Sequence, residues 1–375
     1  MRLRAGHHLA YSTNVHPGET WSETLLALEE FTLPVKAAVA PNEQFGIGLR
    51  LSDRASRELI DERTLAGFRD WLAANNCYVF TINGFPFGKF HGGPVKERVF
   101  TPDWTTNERL EYTNRLFDIL AALLPNDIGG SVSTLPGSFK EFVRRDDQVE
   151  AIRRNLRRCS DHIATLAQKF GSDLHLGLEP EPLGLFENTA ETLRFFENLH
   201  GEHLGVNYDA CHFAVQYEDP LETLPTLQAA GIRISKLHLS SALRCAVTNE
   251  SKARLRSFAD DVYLHQVIAR TSDGVLHRST DLPIALAQDK AAKEWRIHFH
   301  IPLYAEVSPP LATTIDDVVR LLDWLGANPR SCSHLEMETY TWNVLPRPLR
   351  SASLVDQLTR EYQWTLARLR ERHLA

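Results

Sequence analysis

The sequence has no run of 18 consecutive apolar residues, so a helix that crosses a membrane is not expected. The five cysteines are scattered and form no Cys-x-x-Cys pair, which argues against a disulfide framework and suits a reducing compartment. The first residues also lack the apolar stretch of a secretory signal. We therefore expect a cytoplasmic protein without a membrane segment.

Several common catalytic motifs are missing as well. The chain has no Gly-x-Gly-x-x-Gly after its first apolar run, no Walker A loop, no Gly-x-Ser-x-Gly and no His-Glu-x-x-His. Lys and Arg number 41 against 48 Asp and Glu, which gives a formal net charge of −7. A long nucleic-acid footprint needs many basic side chains, so this balance argues against one. We expect a small-molecule substrate and no nucleic-acid partner.

Short apolar runs alternate with amphipathic helical segments along the 375 residues. Apolar residues recur every three or four positions over 149–170, 315–325 and 354–369, as they do on one face of a helix. Repeated strand and helix predict a parallel sheet with helices outside, and eight strands close a barrel. We predict a single (β/α)8 TIM-barrel domain over 1–375, with an open doubly wound sheet as the second possibility. The predicted strands are 8–11, 46–51, 78–82, 130–134, 174–179, 204–209, 234–239 and 335–338.

The segment from about 241 to 295 interrupts this alternation. Residues 265–270 and 275–278 flank a Ser272-Asp273-Gly274 turn, a pattern typical of a β-hairpin. Because the segment follows the seventh predicted strand, it would lie at the mouth where barrel enzymes carry their active sites. We therefore predict an insertion containing a hairpin, with a role as a lid or as a wall of the substrate site.

Acidic residues and histidines recur where the predicted strands end. In a barrel, side chains at these ends converge on one mouth. Oxygen ligands with a single imidazole suit Mn²⁺, Mg²⁺, Co²⁺ or Zn²⁺, so a divalent metal site is predicted there. The candidate residues are Glu179, Asp209, His212, His238, Glu336 and Glu338.

Other polar residues follow the first and third predicted strands, beside a loop rich in glycine and phenylalanine. Polar donors next to aromatic rings are typical of sites for hydroxyl-rich ligands. Phe85, Phe87, Phe90 and Trp342 would supply the rings, although residues 84–93 could equally form only a packed surface loop. The candidate substrate-binding residues are Asn14, His16, Asn83, His91, Glu181 and His300.

Three motifs at the predicted strand ends resemble the xylose isomerase-like barrels. They are LEPEP at 178–182, DACH at 209–212 and KLHL at 236–239, together with a last strand that carries glutamates. This superfamily includes sugar isomerases, ketose 3-epimerases, inosose dehydratases and type IV apurinic endonucleases. Two further motifs, STNVHPGETW at 12–21 and ETYTW at 338–342, resemble the EboE family of metabolite traffic proteins.

The resemblance to the epimerases implies a ligand set and catalytic roles. The metal would be held by Glu179, Asp209, His238 and Glu336, and His212 would contact the substrate. The first and last glutamates would also act as the acid and base that move a proton beside a carbonyl. Glu181 and Glu338 remain open alternatives, since each lies two residues from Glu179 or Glu336 and so on the same face of its strand.

The resemblance leaves two further functions open. The endonuclease branch has a three-metal cluster that adds histidines at the second and third strand ends and an Asp-x-His near the seventh. Here the second strand end has no histidine, the third reaches one only at His91, and 298–300 reads His-x-His. We therefore favour a metal-dependent isomerase or epimerase. The alternatives are a multi-metal hydrolase or phosphodiesterase that uses His16, His91 and His300, and a non-catalytic barrel that binds a metabolite.

Overall fold

Eight parallel strands form one sheet in the computed structural model, which describes residues 1–199, 201–288 and 291–375. They are β1 (His8–Tyr11), β2 (Phe45–Arg50), β3 (Cys77–Asn83), β4 (Gly130–Thr134), β5 (Leu174–Leu178), β6 (Leu204–Asp209), β7 (Arg233–Leu239) and β13 (His334–Met337). Their order is β1, β13, β7, β6, β5, β4, β3, β2. A parallel bridge between Ser12 and Gly48 joins the two edges, so the sheet is a nearly closed barrel. The predicted (β/α)8 fold is confirmed.

Helices connect the barrel strands and cover the sheet. The longest, Asp146–Phe170, carries the predicted apolar stripe and ends at Gly171, whose φ of 66° terminates the helix. None of the helices in the described ranges is both long and apolar enough to cross a membrane. They are α1 (Trp21–Ala27), α2 (Leu33–Val39), α3 (Asp53–Leu59), α4 (Glu62–Ala74), α5 (Asn107–Leu123), α6 (Asp146–Phe170), α7 (Thr189–Phe196), α8 (Ala210–Val215), α9 (Pro220–Ala229), α10 (Asn249–Leu255), α11 (Leu282–Ala287), α12 (Ile315–Ala327) and α13 (Leu354–Arg370).

A second sheet lies between β7 and β13 in the chain. Its strands are β8 (Leu243–Ala246), β9 (Val267–Arg270), β10 (Leu276–Ser279), β11 (Glu294–Ile297) and β12 (Leu311–Thr313). The order is β10, β9, β11, β8, β12, and neighbours are antiparallel. Strands β9 and β10 form the hairpin around residues 271–275, whereas β12 lies beyond the predicted end of the insertion. The sheet has an apolar core of its own, which includes Trp295, Ile297 and Phe299.

The interior of the barrel carries polar side chains at both ends. At the end where the strands begin, three buried imidazoles lie together, because the ring centroids of His175 and His8 are 5.3 and 6.2 Å from that of His334. At the end where the strands finish, the register aligns Asp209 and Glu336 with His238 on the strand between them. This second end holds the candidate site.

Candidate metal centre

Four strands deliver the acidic residues and the histidine to one place. Asp209 and His238 lie in β6 and β7, Glu179 follows β5, and Glu338 follows β13. All four are buried, with at most 5% of any of them exposed. One ligand atom from each lies within 4.8 Å of those from the other three, which is close enough for a single cation to contact them all.

The imidazole of His238 is at the centre of this group. Its Nδ1 is 3.1 Å from Glu179 Oε1, 3.2 Å from Glu338 Oε2 and 3.4 Å from Asp209 Oδ2. Three carboxylate oxygens around one ring nitrogen repel one another unless a proton or a metal ion lies among them. The group therefore has the geometry and the charge of a cation site with three carboxylates and one imidazole.

The other nitrogen of His238 distinguishes the two glutamates that the sequence left open. Nε2 is 2.9 Å from Glu336 Oε2, and the same oxygen accepts a hydrogen bond of 2.5 Å from the buried Lys236. If Nε2 carries the proton and donates to Glu336, Nδ1 keeps its lone pair for a metal, an arrangement common around ligating histidines. Glu338 thus lies within the cluster, whereas Glu336 lies behind the imidazole.

The charges of the cluster shift its pKa values strongly. Burial lowers the pKa of His238, but the carboxylates of Glu338 and Glu179 outweigh this effect and hold it well above the usual value. Burial raises the pKa of Asp209, but His212 and the other nearby imidazoles outweigh it and hold the pKa well below the usual range. The carboxylates thus recruit positive charge, which a divalent ion would supply.

Neutral side chains orient the carboxylates from outside the cluster. Asn207 Nδ2 donates to Glu179 Oε2 over 2.7 Å, Asn14 Nδ2 to Glu338 Oε1 over 2.8 Å, and Ser240 Oγ to Asp209 Oδ1 over 2.7 Å. Sequence reasoning missed Asn207 and Ser240. Asn207 lies two residues before Asp209 in β6, and Ser240 lies two residues after His238, just beyond the end of β7, so period-two alternation would have found them.

Three more histidines form a second group beside the first. The ring centroids of His212, His298 and His300 are 4.8 to 5.5 Å apart. Nδ1 of His212 lies 3.0 Å from the Pro180 carbonyl, and Nδ1 of His300 lies 2.7 Å from the Glu338 carbonyl, so Nδ1 of each ring carries a proton and donates it. Within the described residues, Nε2 of His298 and of His300 is buried without a hydrogen-bond partner.

The charge states of this second group differ from residue to residue. Burial lowers the pKa of His212, but Asp209, Glu181 and Glu179 outweigh it and raise the pKa to about 9. Burial lowers the pKa of His298 well below its usual value, and the neighbouring imidazoles lower it further. Burial raises the pKa of Glu181, whose Oε2 is 3.4 Å from His212 Nδ1. Proton donors and acceptors are thus adjacent beside the cluster.

A cavity opens above these groups, and six of the twelve predicted site residues line it, whereas Asp209, His238, Glu336, His16, His91 and His300 do not. Asn14, Asn83, Glu179, Glu181 and Glu338 line it, and the empty space amounts to about 640 Å³ with the open mouth included. The insertion contributes to the wall through the segment before β9, and none of the hairpin residues 267–279 is in the lining. The remaining lining residues are Phe85, Pro86, Phe90, Val95, Lys96, Val99, Phe100, Pro182, Leu183, His212, Tyr263, Leu264, Gln266, His298 and Tyr340.

Two predicted substrate residues are bonded elsewhere. The ring of His16 stacks on Phe31 at 4.7 Å, and its Nε2 is 2.8 Å from the Tyr11 hydroxyl. His91 is held between the Asn14 carbonyl at 2.6 Å and the Tyr263 hydroxyl at 3.1 Å. Neither is among the residues that line the cavity.

The aromatic residues predicted as a floor divide in a similar way. Phe85 and Phe90 line the cavity. Phe87 packs on Tyr112 with a centroid distance of 5.0 Å, and Trp342 is partly buried against the main core. The loop at 84–93 thus contributes some rings to the cavity and packs others into the protein.

Comparisons with known proteins agree with this architecture. Residues 45–260, more than half of the chain, match the model of a family described as xylose isomerase-like TIM barrel. No curated protein sequence matches the chain significantly.

Solved structures show the likeness in fold. An L-ribulose 3-epimerase is 12% identical with a TM-score of 0.52, and covers 99% of this chain and 96% of its own. The IolI protein with a bound zinc atom is 12% identical with a TM-score of 0.51 and covers 98% and 99%. AsbF of Bacillus anthracis, a probable 3-DHS dehydratase, is 11% identical with a TM-score of 0.52 and covers 96% and 98%.

Proposed function

Since the chain belongs to the xylose isomerase-like TIM barrel family, we propose that it is a metal-dependent isomerase or epimerase. Its reaction moves a proton on the carbon beside the carbonyl of a small sugar, polyol or cyclitol ketone. The observation that carries this proposal is the buried Nδ1 of His238, which faces three carboxylate oxygens at 3.1 to 3.4 Å. A neighbour in fold that binds zinc and another that is a ketose epimerase support it.

The metal ligands in this proposal are Glu179, Asp209, His238 and Glu338. Glu336 has the role of fixing the imidazole through its contact with Nε2. A bound divalent ion would polarise the carbonyl and hydroxyl oxygens of the substrate and so stabilise the enediolate. The donor set suits Mn²⁺, Mg²⁺, Co²⁺ or Zn²⁺.

The residues that move the proton are drawn from those that face the cavity. Glu179 and Glu338 both line it, whereas Glu336 does not, so we assign the acid and base roles to Glu179 and Glu338. One carboxylate removes the proton from the carbon, and the other returns a proton to the opposite face. His212, also in the lining, orients the substrate, and Glu181 beside it is a reserve proton donor.

Metal content tests the site, and isotope exchange tests the chemistry. Protein purified without a tag or a chelator should contain about one divalent ion per chain by elemental mass spectrometry. The metal-loaded protein should exchange a substrate carbon proton in D₂O, and Glu179→Gln should abolish this exchange while circular dichroism stays native. Full exchange by Glu179→Gln would refute the assignment. Absence of metal after reconstitution would favour a non-catalytic, metabolite-binding barrel.

The three-histidine group favours a second candidate function, that of a multi-metal hydrolase. Asp209, His212 and His300 have ligand atoms within 4.8 Å of one another, as have Glu181, His212 and His298. Of the histidines predicted for this alternative, His16 and His91 are bonded elsewhere. Two or three zinc ions per chain, with cleavage of bis(p-nitrophenyl) phosphate, would favour hydrolysis over isomerisation.

The pathway belongs to the proposal as well. The motifs that resemble EboE supply Asn14, Glu338 and Tyr340 to the cavity lining. This placement supports a role in a metabolite traffic pathway, with the substrate bound where the two motifs meet. The cytoplasmic location stays a prediction from the sequence.

A further inference from the structure

The cavity above the cluster is divided into a polar floor and apolar walls. Glu179, Glu338 and His212 are on the floor. The walls include two sets of packed rings. In one, the ring centroids of Phe90 and Tyr340 lie 5.3 and 5.0 Å from that of Tyr263. In the other, Phe85 and Phe100 are 5.6 Å apart, and Val95, Val99 and Leu264 are also in the lining.

Most polar groups in the lining already have partners. The amide nitrogens of Asn14 and Asn83 both donate to Glu338 Oε1, and that of Gln266 donates to Glu187 Oε2 over 2.6 Å. Among the described lining residues, the buried polar atoms left without a partner are Asn14 Oδ1 and His298 Nε2. Both atoms lie beside the floor, because Asn14 donates to Glu338 and the ring of His298 is 4.8 Å from that of His212.

Among the described residues, the lining contains one lysine and no arginine that could bind a phosphate. This lysine, Lys96, is already paired, because its Nζ is 2.8 Å from Asp281 Oδ2. The carboxylates of the floor would also repel the negative charge of a phosphate. A sugar phosphate is therefore a poor match for the cavity.

A substrate that carries a hydroxyl on every carbon also matches the walls poorly. Hydroxyls placed against Phe85, Phe90 or Val95 would lose water without gaining a protein partner, which is unfavourable. An apolar group in the same place would instead gain from its removal from water.

From this division, and relying on the function proposed above, we infer that the substrate is a hydroxy-ketone with an apolar substituent at least as large as a benzene ring. The ketone head occupies the floor beside Glu179 and Glu338, and the substituent lies between the aromatic walls. A neighbouring groove, about 890 Å³ with its open mouth included, shares Pro86, Val95 and Val99 with the cavity, so a longer substituent has a path to the surface.

Calorimetric titration of the Mn²⁺-loaded protein tests this inference with three ketones. They are 1-hydroxybutan-2-one, which is the head alone, 1-hydroxy-4-phenylbutan-2-one, which adds a ring, and D-fructose, which adds hydroxyls. We expect the phenyl compound to bind at least about tenfold more tightly than the other two, because its ring is buried. D-fructose binding as tightly as the phenyl compound, or no binding of either, would overturn the inference.

A larger side chain in the cavity wall tests whether the phenyl compound binds in the proposed subsite or non-specifically. Val99→Phe should weaken the phenyl compound about tenfold and leave 1-hydroxybutan-2-one within about twofold. The control Val275→Phe, at a half-exposed position outside the lining, should change neither. If Val99→Phe loses its metal or its fold, Leu264→Trp repeats the test from the insertion side.

Proton exchange measured on the same samples keeps the two proposals apart. Preferential binding of the phenyl compound without exchange would uphold the substrate class and refute the proposed reaction. Exchange on D-fructose with no preference for the phenyl compound would uphold the proposed reaction and refute the substrate class. Unchanged phenyl affinity in both filling variants, with metal content intact, would also refute the apolar subsite.

Discussion

At the scale of single residues, the direction of one imidazole separates two glutamates that sequence position cannot. Glu336 and Glu338 lie on the same face of β13 and its extension, but His238 presents Nε2 to Glu336 and Nδ1 to Glu338. A ligand contributes to the metal directly, whereas a partner of the ligand contributes through its orientation. The two substitutions should therefore have effects of different size.

Glu338→Gln should remove most of the bound metal, because a carboxylate ligand is lost. Glu336→Gln should weaken metal binding by a smaller factor, about 10- to 100-fold, since only the orientation of His238 is disturbed. Competition with a fluorescent chelator measures both affinities. Equal losses would contradict the distinction between the two glutamates, and a larger loss in Glu336→Gln would reverse it.

The ion pair between Lys236 and Glu336 is a second matter of residue scale. Both side chains are buried, with exposures of 1% and 0%, and Lys236 Nζ also donates to Ser133 Oγ over 3.1 Å. Lys236→Met would remove the buried cation and leave the carboxylate with the imidazole of His238 alone, so we expect a loss of about 3 to 5 kcal/mol in the free energy of unfolding. The double variant Lys236→Met/Glu336→Gln should recover part of it in urea titration. A double variant as unstable as Lys236→Met would show that packing, and not charge, is responsible.

At the scale of elements, β2 leaves room for the side chain of Glu336 because one of its own residues has no side chain. A Cβ on Gly48 would lie 1.9 Å from Glu336 Oε1 and 2.7 Å from the Tyr11 carbonyl oxygen. The carbonyl belongs to β1 and cannot move without opening the barrel. This glycine therefore gives Glu336 the space in which it supports His238.

Gly48→Ala should accordingly lower the free energy of unfolding by about 1 to 3 kcal/mol and weaken metal binding as well. Gly67→Ala in α4 is the matched control, because a Cβ there meets nothing within 4 Å. The control should be neutral or stabilising by about 0.5 to 1 kcal/mol, since alanine favours the helix. If Gly48→Ala is destabilised but binds the metal with native affinity, then the space at Gly48 is not needed for the metal site.

Elements also show which part of this fold the sequence makes predictable. Each predicted barrel strand agrees with the structure to within one residue at either end, because a strand buried on both faces appears as a continuous apolar run. Within the insertion at about 241–295, the sequence predicts the hairpin but not the sheet to which it belongs. β8 pairs with β11 and β12, and 47 residues lie between β8 and β11, so no local pattern records that pairing.

The same limit applies to the site. Strand ends locate residues such as Asp209 and His238, because barrel topology brings all strand ends to one mouth. The direction of a side chain in a loop is not fixed in this way, and His16 packs on Phe31 instead of entering the cavity. Likewise, the insertion contributes Tyr263, Leu264 and Gln266 to the cavity wall. These residues precede the hairpin, which is the part of the insertion that the sequence pattern predicts.

At the scale of the whole molecule, buried neutral histidines outside the cluster couple stability to pH. Burial, with nearby positive charge, lowers the pKa of His8 to about 4, and burial lowers the pKa of His16 to about 3 and of His91 to about 4. Unfolded histidines titrate near pH 6.5. Their stabilising contribution is therefore complete above pH 6.5 and is lost as the pH falls toward 4.

Glu361 opposes them, because burial raises its pKa to about 7, so its contribution is lost as the pH rises through 7.

The histidines outnumber Glu361, because burial also lowers the pKa values of His7, His175 and His334, so we predict a net loss of stability on acidification. Each histidine should cost about 2 kcal/mol between pH 7.5 and pH 5, and Glu361 should return a similar amount. Urea titrations of chelator-treated protein measure this loss without a contribution from metal release. His16→Phe, which keeps the stack on Phe31, should reduce the loss, whereas Glu361→Gln, which removes the opposing group, should increase it. A free energy of unfolding that stays constant from pH 7.5 to 5 would show that these imidazoles reach solvent, and the burial that positions them would then have to be revised.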